Sequence, residues 1–239
     1  MESTGYVALT RQMGLMREMQ VVATNIANLA TTGYRREGVI FSEFVVATGT
    51  DGVSVSMAHA GARHTDLAPA SLKRTGGEFD LAIEGAGFFL VETPQGQRLT
   101  RAGAFTPNEA GELVTPEGYR LLDEGGAPLF VPPDAAQVRV AGDGTVSAGE
   151  QLLGRIVPVM PGDPTDLVRE GGVRFRTEGE TLPVEAPRIL QGHLEAANVV
   201  PVAEIARMIE VQRAYEMGQR SLEAEDERVR NLIRTLSRQ

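Results

Sequence analysis

The chain has 239 residues and a formal net charge of −9, with 42% apolar and 23% charged residues and neither cysteine nor tryptophan. This composition supports a packed core, while the acidity argues against a nucleic-acid partner, which normally meets a basic face. The lack of cysteine excludes thiolate catalysis, disulfides and Cys-ligated metal sites.

The first predicted element is a helix over residues 9–29 with two apolar stripes. Five residues at spacings of 4, 3, 4 and 3 form a coiled-coil seam, and they are Leu15, Met19, Val22, Ile26 and Leu29. A second stripe lies beside it and consists of Leu9, Met13, Met16, Ala23, Ala27 and Ala30. Two adjacent stripes make a face wider than a single partner helix covers. The pattern therefore predicts contact with several neighbours.

Two amides and a glycine mark the end of this helix. Gly33 is predicted to cap the helix C-terminus in the left-handed conformation, which glycine adopts without a Cβ penalty. Asn25 and Asn28, if buried, need hydrogen-bond partners, so they disfavour wrong neighbours and fix the packing register. Their candidate partners are Gln212, Gln219, Asn198 and Arg213. Local hydrogen bonding at the helix end is an equally supported alternative.

Residues 37–74 are the next predicted segment, an extended connector rich in glycine, serine and threonine. Its weak alternation involves Val53, Val55 and Met57. His59 and His64 lie here with Asp66 nearby, but a third metal ligand at suitable spacing is missing. We therefore predict a solvated connector without a metal site.

Residues 75–194 are predicted to form a central all-β domain of short antiparallel strands. Apolar residues alternate with polar or small ones around Leu81, as in a half-buried strand, and a continuous apolar run follows at residues 88–91. Turns are predicted at Gln95-Gly96 and at Asp143-Gly144. These signals favour a meander of hairpins.

One glycine-rich stretch in this domain begins like a dinucleotide-binding fingerprint. After Gly85-Ala86-Gly87, however, Leu90 stands where the last glycine belongs and no helix follows, so the stretch is predicted to be a turn between two strands. No serine or threonine has the glycine-elbow context of an acyl-transfer nucleophile. The sequence therefore predicts no catalytic residue, no metal ligand and no cofactor.

A helix over residues 202–239 is the last predicted element, and Pro201 suits its first turn because the missing N–H is no loss there. Steps of 3 and 4 define its seam, which consists of Ile205, Met208, Gln212, Tyr215, Gln219, Leu222, Asp226, Val229, Ile233 and Leu236. The predicted fold class is therefore α+β, with a coiled-coil-like helical assembly domain over residues 1–36 and 195–239. Spacing alone also allows a self-contained adaptor whose two helices pair within one molecule.

Three stretches of the chain resemble flagellar rod and hook proteins. "VVATNIANLATTGYRRE" resembles their N-terminal signature, "GGEFDLAIEGAGFFLVETPQGQRLTRAGAFTPNEAGELVTPEGYRLL" their shared β-domain motif, and "LEAANVVPVAEIARMIEVQRAYE" their C-terminal motif. The β-domain motif residues are Asp80, Gly85, Gly87, Phe88, Phe89, Thr100, Arg101, Gly103 and Phe105. Within the family, the Pro201-Val202 pair and the short chain are typical of a rod protein that is distinct from the distal-rod protein. The distal-rod protein itself is the alternative identification.

The resemblance implies a structural subunit of the flagellar basal-body rod, the driveshaft that crosses the periplasm. It implies that the terminal helices pair in an inner tube with the β domain outside. The implied partners are further copies, proximal and distal rod proteins, the flagellar type III export apparatus and surrounding ring proteins.

Export without a cleaved signal peptide is also implied, and it agrees with Arg11 and Arg17, which interrupt any secretory apolar region. No run approaches the roughly 20 apolar residues of a membrane span, so membrane insertion is not expected. The predicted assembly interface consists of Leu9, Met13, Leu15, Met16, Met19, Val22, Asn25, Ile26, Asn28, Leu29, Asn198, Ile205, Met208, Gln212, Arg213, Tyr215, Leu222, Val229, Ile233 and Leu236.

Overall fold

The computed structural model describes residues 2–47, 54–135 and 137–236. The chain divides into two compact units. The helical unit comprises the described residues of Met1–Leu29, Arg36–Asp66 and Val199–Gln239, and the β unit those of Ala30–Arg35 and Leu67–Asn198. The predicted α+β class, with a helix near each end and short antiparallel strands between them, is confirmed.

The helical unit contains two helices and a two-stranded ribbon. Helix α1 spans Glu2–Ala27 and helix α2 spans Pro201–Leu236, so Pro201 does occupy the first helical position. Strands β1, Glu37–Ala47, and β2, Ser54–Thr65, pair antiparallel with a bulge between Ile40 and Phe41. Helix α1 contacts both α2 and the ribbon.

The ribbon occupies most of the segment expected to be an extended connector. Val55 and Met57 lie in β2, whereas Val53 lies outside the described residues. The strands are extended as expected, but they are paired with each other along their length. The weak alternation of the sequence did not predict this pairing, because period-2 spacing is the main local signal of a strand.

The β unit is built from short strands, as predicted for the central domain. They are β3 Leu72–Arg74, β4 Leu81–Ile83, β5 Phe89–Thr93, β6 Gly96–Thr100, β7 Thr106–Pro107, β8 Leu113–Val114, β9 Arg120–Leu121, β10 Val138–Val140, β11 Thr145–Ala148, β12 Gln151–Arg155, β13 Val159–Pro161, β14 Val168–Gly171, β15 Arg174–Arg176, β16 Thr181–Pro183, β17 Ile189–Gln191 and β18 His193–Glu195, with a 3₁₀ turn at Pro164–Asp166. All of their pairings are antiparallel.

The largest sheet among the described residues has the strand order β14-β15-β6-β5-β9-β8-β7. Strands β10, β11 and β12 form a separate sheet, and the remaining strands pair as β13-β16, β17-β4 and β18-β3. Both predicted hairpin turns are present, one joining β5 to β6 and one joining β10 to β11.

Two aromatic pairs organise the core of the β unit. Phe89 meets Phe105 edge-on with ring centroids 5.5 Å apart, and Phe88 meets Phe175 at 5.7 Å. Strand β4 is more buried than its alternation predicted, because Ala82 is as inaccessible as Leu81. Consecutive residues on both faces of β4 are therefore covered.

No helix in the described part of the chain is both long enough and apolar enough to span a membrane.

Candidate assembly interface

Helices α1 and α2 meet through three polar contacts spaced along α1. Gln12 donates to the Tyr215 carbonyl at 2.9 Å, Glu18 accepts from Arg207 at 2.6 Å, and Asn25 donates to Glu204 at 3.1 Å. The residue numbers of the α2 partners decrease as those of the α1 residues increase, so the two helices run antiparallel. Burial opposes the charge of Arg207, but hydrogen bonds to Glu18 and Glu210 outweigh it and raise the pKa of Arg207.

Asn25 lies at the most buried of these contacts, with none of its surface exposed. Its Nδ2 donates to the Glu37 carbonyl at 2.8 Å and to the Glu204 carboxylate at 3.1 Å. Its Oδ1 accepts from the Glu37 N–H at 3.0 Å. Both amide hydrogens and the amide oxygen therefore have partners, and they tie α1, the start of the ribbon and the first turn of α2 together.

The two glutamates around Asn25 are themselves buried and paired with arginines. Glu204 accepts from Arg36 at 2.5 Å, and Glu37 lies 3.6 Å from Arg63. The acids are almost fully buried, whereas Arg63 is exposed. We call Asn25, Arg36, Glu37, Arg63 and Glu204 the Asn25 junction. Buried charges of this kind persist only when they are paired and hydrogen-bonded.

The second amide of the motif has a different environment. Asn28 is half-buried, and its Nδ2 donates to the Thr24 carbonyl at 2.8 Å, one turn earlier on the same chain segment. This is the local arrangement that was the alternative to a role in register. Asn25, in contrast, bridges segments that are distant in sequence.

The candidate partners named from the sequence lie elsewhere. Gln212 donates to Glu216 and Gln219 to the Tyr215 hydroxyl, both within α2. Asn198 belongs to the β unit and donates to the Ala68 carbonyl, and Arg213 is exposed on α2. Sequence reasoning missed Glu37 and Glu204, since acids are normally assigned to the surface.

The prediction that Gly33 caps α1 was wrong. Gly33 is left-handed, with a φ of 69°, but α1 already ends at Ala27. The Gly33 N–H donates to the Glu195 carbonyl at 2.8 Å, and a Cβ at this position would lie 2.3 Å from the Ala102 nitrogen. Glycine is required here by the close approach of another backbone segment.

A buried charged cluster in the β unit explains one residue of the β-domain motif. The Glu195 carboxylate accepts from Arg35 at 2.7 Å and lies 3.0 Å from Arg101, and all three side chains are about 1–2% exposed. Ala70 N–H also donates to Glu195. Burial lowers the pKa of Arg101 to about 10, although Glu195 opposes the shift. Glu195 and Arg35 were not predicted, because their partners are distant in sequence.

The other motif residues of the β unit are structural as well. The Thr100 hydroxyl donates to the Val173 carbonyl and accepts from the Ala102 N–H, and Asp80 accepts from Thr75. Gly85 and Gly87 both adopt positive φ in the turn between β4 and β5, as the turn prediction for this stretch requires.

The second of the two apolar stripes predicted for α1 has its large residues exposed in this chain. Leu9, Met13 and Met16 are 53, 59 and 54% exposed, and they recur on one side of the helix. The other predicted stripe is buried or half-buried, and its members are Leu15, Met19, Val22, Ile26 and Leu29. One side of α1 is therefore covered within the chain and the other is not.

The seam of α2 separates in the same way. Its half-buried members recur every seven residues and are Met208, Tyr215, Leu222 and Val229. Its exposed members are Ile205, Gln212, Gln219, Asp226 and Ile233, and the side chain of Leu236 lies outside the described residues. Val202 and Ile209, which were not part of the predicted interface, extend the exposed apolar surface beside Ile205.

Comparison with known proteins places the sequence among flagellar axial proteins. The flagellar hook protein FlgE/F/G D1 domain matches residues 82–148, and the flagellar basal body rod FlgEFG protein C-terminal domain matches residues 190–235. The flagellar basal-body rod protein FlgF of Caulobacter vibrioides is 39% identical over 100% of this chain and 99% of its own length. FlgF of Mesorhizobium japonicum is 40% identical over 90% of both chains.

Proteins named FlgG are less similar. The flagellar basal-body rod protein FlgG of Caulobacter vibrioides is 29% identical over 87% of this chain and 90% of its own length. One bacterium thus has both a FlgF and a FlgG related to this sequence.

Proposed function

The chain belongs to the flagellar basal-body rod protein family, and from this membership we propose that it assembles through its two helices into the shaft that transmits torque across the periplasm. The family is structural rather than enzymatic. Similarity is higher to members named FlgF than to those named FlgG, so FlgF-like rod proteins are the better guide to its role.

The exposed apolar side of the helices carries this proposal. The contact between α1 and α2 uses polar groups and a few buried valines, and it leaves Leu9, Met13 and Met16 on α1 uncovered. On α2, Val202, Ile205 and Ile209 are also uncovered. Contiguous exposed apolar surface on a folded protein typically marks an interaction site. Neighbouring subunits would cover these side chains in a rod.

A filament requires contacts between two different surfaces of each subunit. Such heterologous contacts do not close on themselves and therefore build an open helical assembly. The exposed side of α1 and the exposed side of α2 are two such surfaces. We propose that they pack in a coiled-coil-like manner in an inner tube and that residues 1–36 and 195–239 form the assembly domain, with torque carried by their mutual burial.

The proposed route and neighbours follow from the family. The chain would be exported unfolded through the flagellar type III apparatus without cleavage, and the absence of cysteine suits threading through a narrow channel. Its neighbours in the rod would be further copies and the proximal and distal rod proteins, surrounded by ring proteins.

A self-contained coiled-coil adaptor is the second candidate function. It is supported by the contacts between α1 and α2 within one chain. In that case the exposed stripe would have no partner in the rod, and substituting it would leave assembly unchanged. The next experiment separates the two candidates.

Replacing Leu9, Met13 and Met16 together with serine should abolish incorporation into rods without unfolding the chain. About half of each side chain remains to be buried, at roughly 1 kcal/mol each, so association weakens by about 3 kcal/mol, or more than a hundredfold. The measurement is the amount of the chain in isolated basal bodies, together with swimming. Exposed substitutions should barely change thermal stability.

A matched control replaces Val168, Leu152 and Leu182 with serine. These side chains are similarly exposed but belong to the β unit, so rods and swimming should persist. Normal rods with the α1 triple variant would reject assembly through this stripe and favour the adaptor.

A further inference from the structure

We propose that the β unit carries a basic cleft that binds carboxylate side chains of a second copy of this chain. The cleft has a volume of about 1110 Å³ and lies where β3, β10 and β18 come together. Its lining includes Arg74, Arg139 and His193, and the floor is formed in part by Gln191 and Glu78. The contact rests on the proposed function, since it requires neighbouring copies in a rod.

The basic side chains of the cleft converge because of strand register. His193 on β18 lies directly opposite Arg74 on β3, so their side chains share one face of this strand pair. Arg139 lies on β10 between the buried Val138 and Val140 and is therefore directed away from the core. Three nitrogen-bearing side chains thus line one cavity.

The floor of the cleft is held in place by hydrogen bonds. Gln191 donates to the carbonyls of Glu78 and Val138 at 2.8 and 2.9 Å and accepts from the Val140 N–H at 3.1 Å. The Glu78 carboxylate accepts from the Val138 N–H at 2.7 Å. Gln191 and Glu78 are therefore held against the edge of β10, which fixes this part of the lining of the cleft.

The pairing of charges in the β unit singles this cleft out. The unit has 12 basic and 19 acidic side chains, a net charge of −7. Nine of its eleven arginines bind an acid, a carbonyl or an aromatic ring in the described part of the chain. The two for which the described residues provide no such partner are Arg74 and Arg139. Both of these arginines line the cleft, and in a unit with surplus acid they are available to bind an external anion.

The β unit also supplies a suitable anion at another place. Asp163, Asp166 and Glu180, which we call the acidic corner, lie around the 3₁₀ turn Pro164–Asp166. The two segments are joined by the Gly162 N–H, which donates to the Glu180 carbonyl at 2.9 Å. Asp163 accepts from the Thr165 N–H at 2.8 Å, which shapes the turn but leaves its charge unbalanced. In the described chain no basic side chain pairs with these three carboxylates.

Cleft and corner involve different residues of the same unit, so a contact between them is heterologous and repeats from copy to copy. Charge complementarity of this kind fixes orientation and excludes wrong neighbours more than it adds affinity. The helices would then supply most of the association energy, and the cleft would set how adjacent β units are aligned.

Charge reversal tests this contact in cells. Arg74→Glu with Arg139→Glu, and separately Asp166→Arg with Glu180→Arg, should each reduce incorporation into isolated rods on the order of tenfold. Combining the four substitutions should restore most of it. The control Arg155→Glu with Arg188→Glu changes the net charge by the same amount as the cleft reversal. It breaks two exposed ion pairs and one exposed hydrogen bond to the Asp143 carbonyl, so incorporation should stay near the unmodified level.

Cysteine cross-linking supplies a second measurement, because the chain has no cysteine of its own. Arg139→Cys combined with Glu180→Cys should give a series of disulfide-linked multimers in oxidised rods, because the contact repeats from copy to copy, whereas Arg139→Cys with Glu109→Cys should not. If the charge reversal of Arg74 and Arg139 leaves incorporation unchanged, the proposal is overturned. It is also overturned if this reversal lowers incorporation and the added reversal of Asp166 and Glu180 does not restore it, since the occupant of the cleft would then be a different molecule such as an anionic glycan.

The outcomes also separate this proposal from the assembly function. Normal incorporation of the cleft variants alongside failure of the Leu9, Met13 and Met16 triple variant would overturn the cleft contact alone. Normal incorporation of both sets would overturn both proposals.

Discussion

Asn25→Leu is expected to unfold the helical unit at temperatures where the unmodified chain is folded. The substitution leaves the Glu37 N–H, the Glu37 carbonyl and the Glu204 carboxylate without their amide partner in a fully buried place. An unsatisfied buried polar group costs about 1–3 kcal/mol, so a loss of about 4 kcal/mol is expected. Far-ultraviolet circular dichroism during thermal unfolding measures it, because both α-helices belong to this unit.

Asn28→Leu is the matched control for this substitution. Asn28 is half-buried, and the hydrogen bond of its side chain to Thr24 stays within one turn of the chain, so the expected loss is below about 1 kcal/mol. Equal losses for the two variants would contradict the role assigned to the Asn25 junction. Because Asn28→Leu keeps the unit folded, its swimming phenotype reports whether Asn28 acts on a neighbouring subunit.

Gly103→Ala is expected to destabilise the β unit severely. A Cβ at this position would lie 1.7 Å from the Leu81 carbonyl oxygen and 3.1 Å from the Phe89 ring. The Leu81 N–H also donates to the Gly103 carbonyl at 2.8 Å, so the two backbones cannot separate without breaking this bond. We expect a loss of about 3 kcal/mol or more, which lowers the unfolding temperature by roughly 10 °C.

Gly142→Ala is the control for the backbone change itself. A Cβ there meets no atom within 4 Å, and Gly142 is not among the glycines with positive φ. The free energy of unfolding of the Gly142→Ala variant should stay the same or rise by up to about 1 kcal/mol, since alanine restricts the unfolded chain. If Gly103→Ala unfolds at the same temperature as Gly142→Ala, the close approach to Leu81 does not constrain this position.

Local patterns were enough to predict the two helices and the tight hairpin turns, although not the ribbon of β1 and β2. The hairpin at Asp143-Gly144 joins β10 to β11, and the stripes around Val22 and Tyr215 lie on helices. Turn residues and apolar spacing act over a few neighbouring positions, so one sequence contains the whole signal. The same holds for Pro201 at the start of α2.

Contacts between distant residues could not be predicted in this way. Asn25 was singled out, but its partner Glu204 lies 179 positions away and has no periodic relation to it. Arg101 appeared in a motif without its partner Glu195 for the same reason. A single sequence assigns a lone glutamate to the solvent by default, and only the fold reveals that these two are buried.

The exposed stripe of α1 contains two methionines, Met13 and Met16, where isoleucine or valine would give a stiffer surface. Methionine is unbranched and polarisable, and it adapts to surfaces of different shape. A shaft made from more than one kind of subunit contains a junction where one copy meets unlike proteins above and below. In the proposed rod, a stripe of this composition would let one surface of the subunit pack against neighbours of different sequence, because its side chains are flexible.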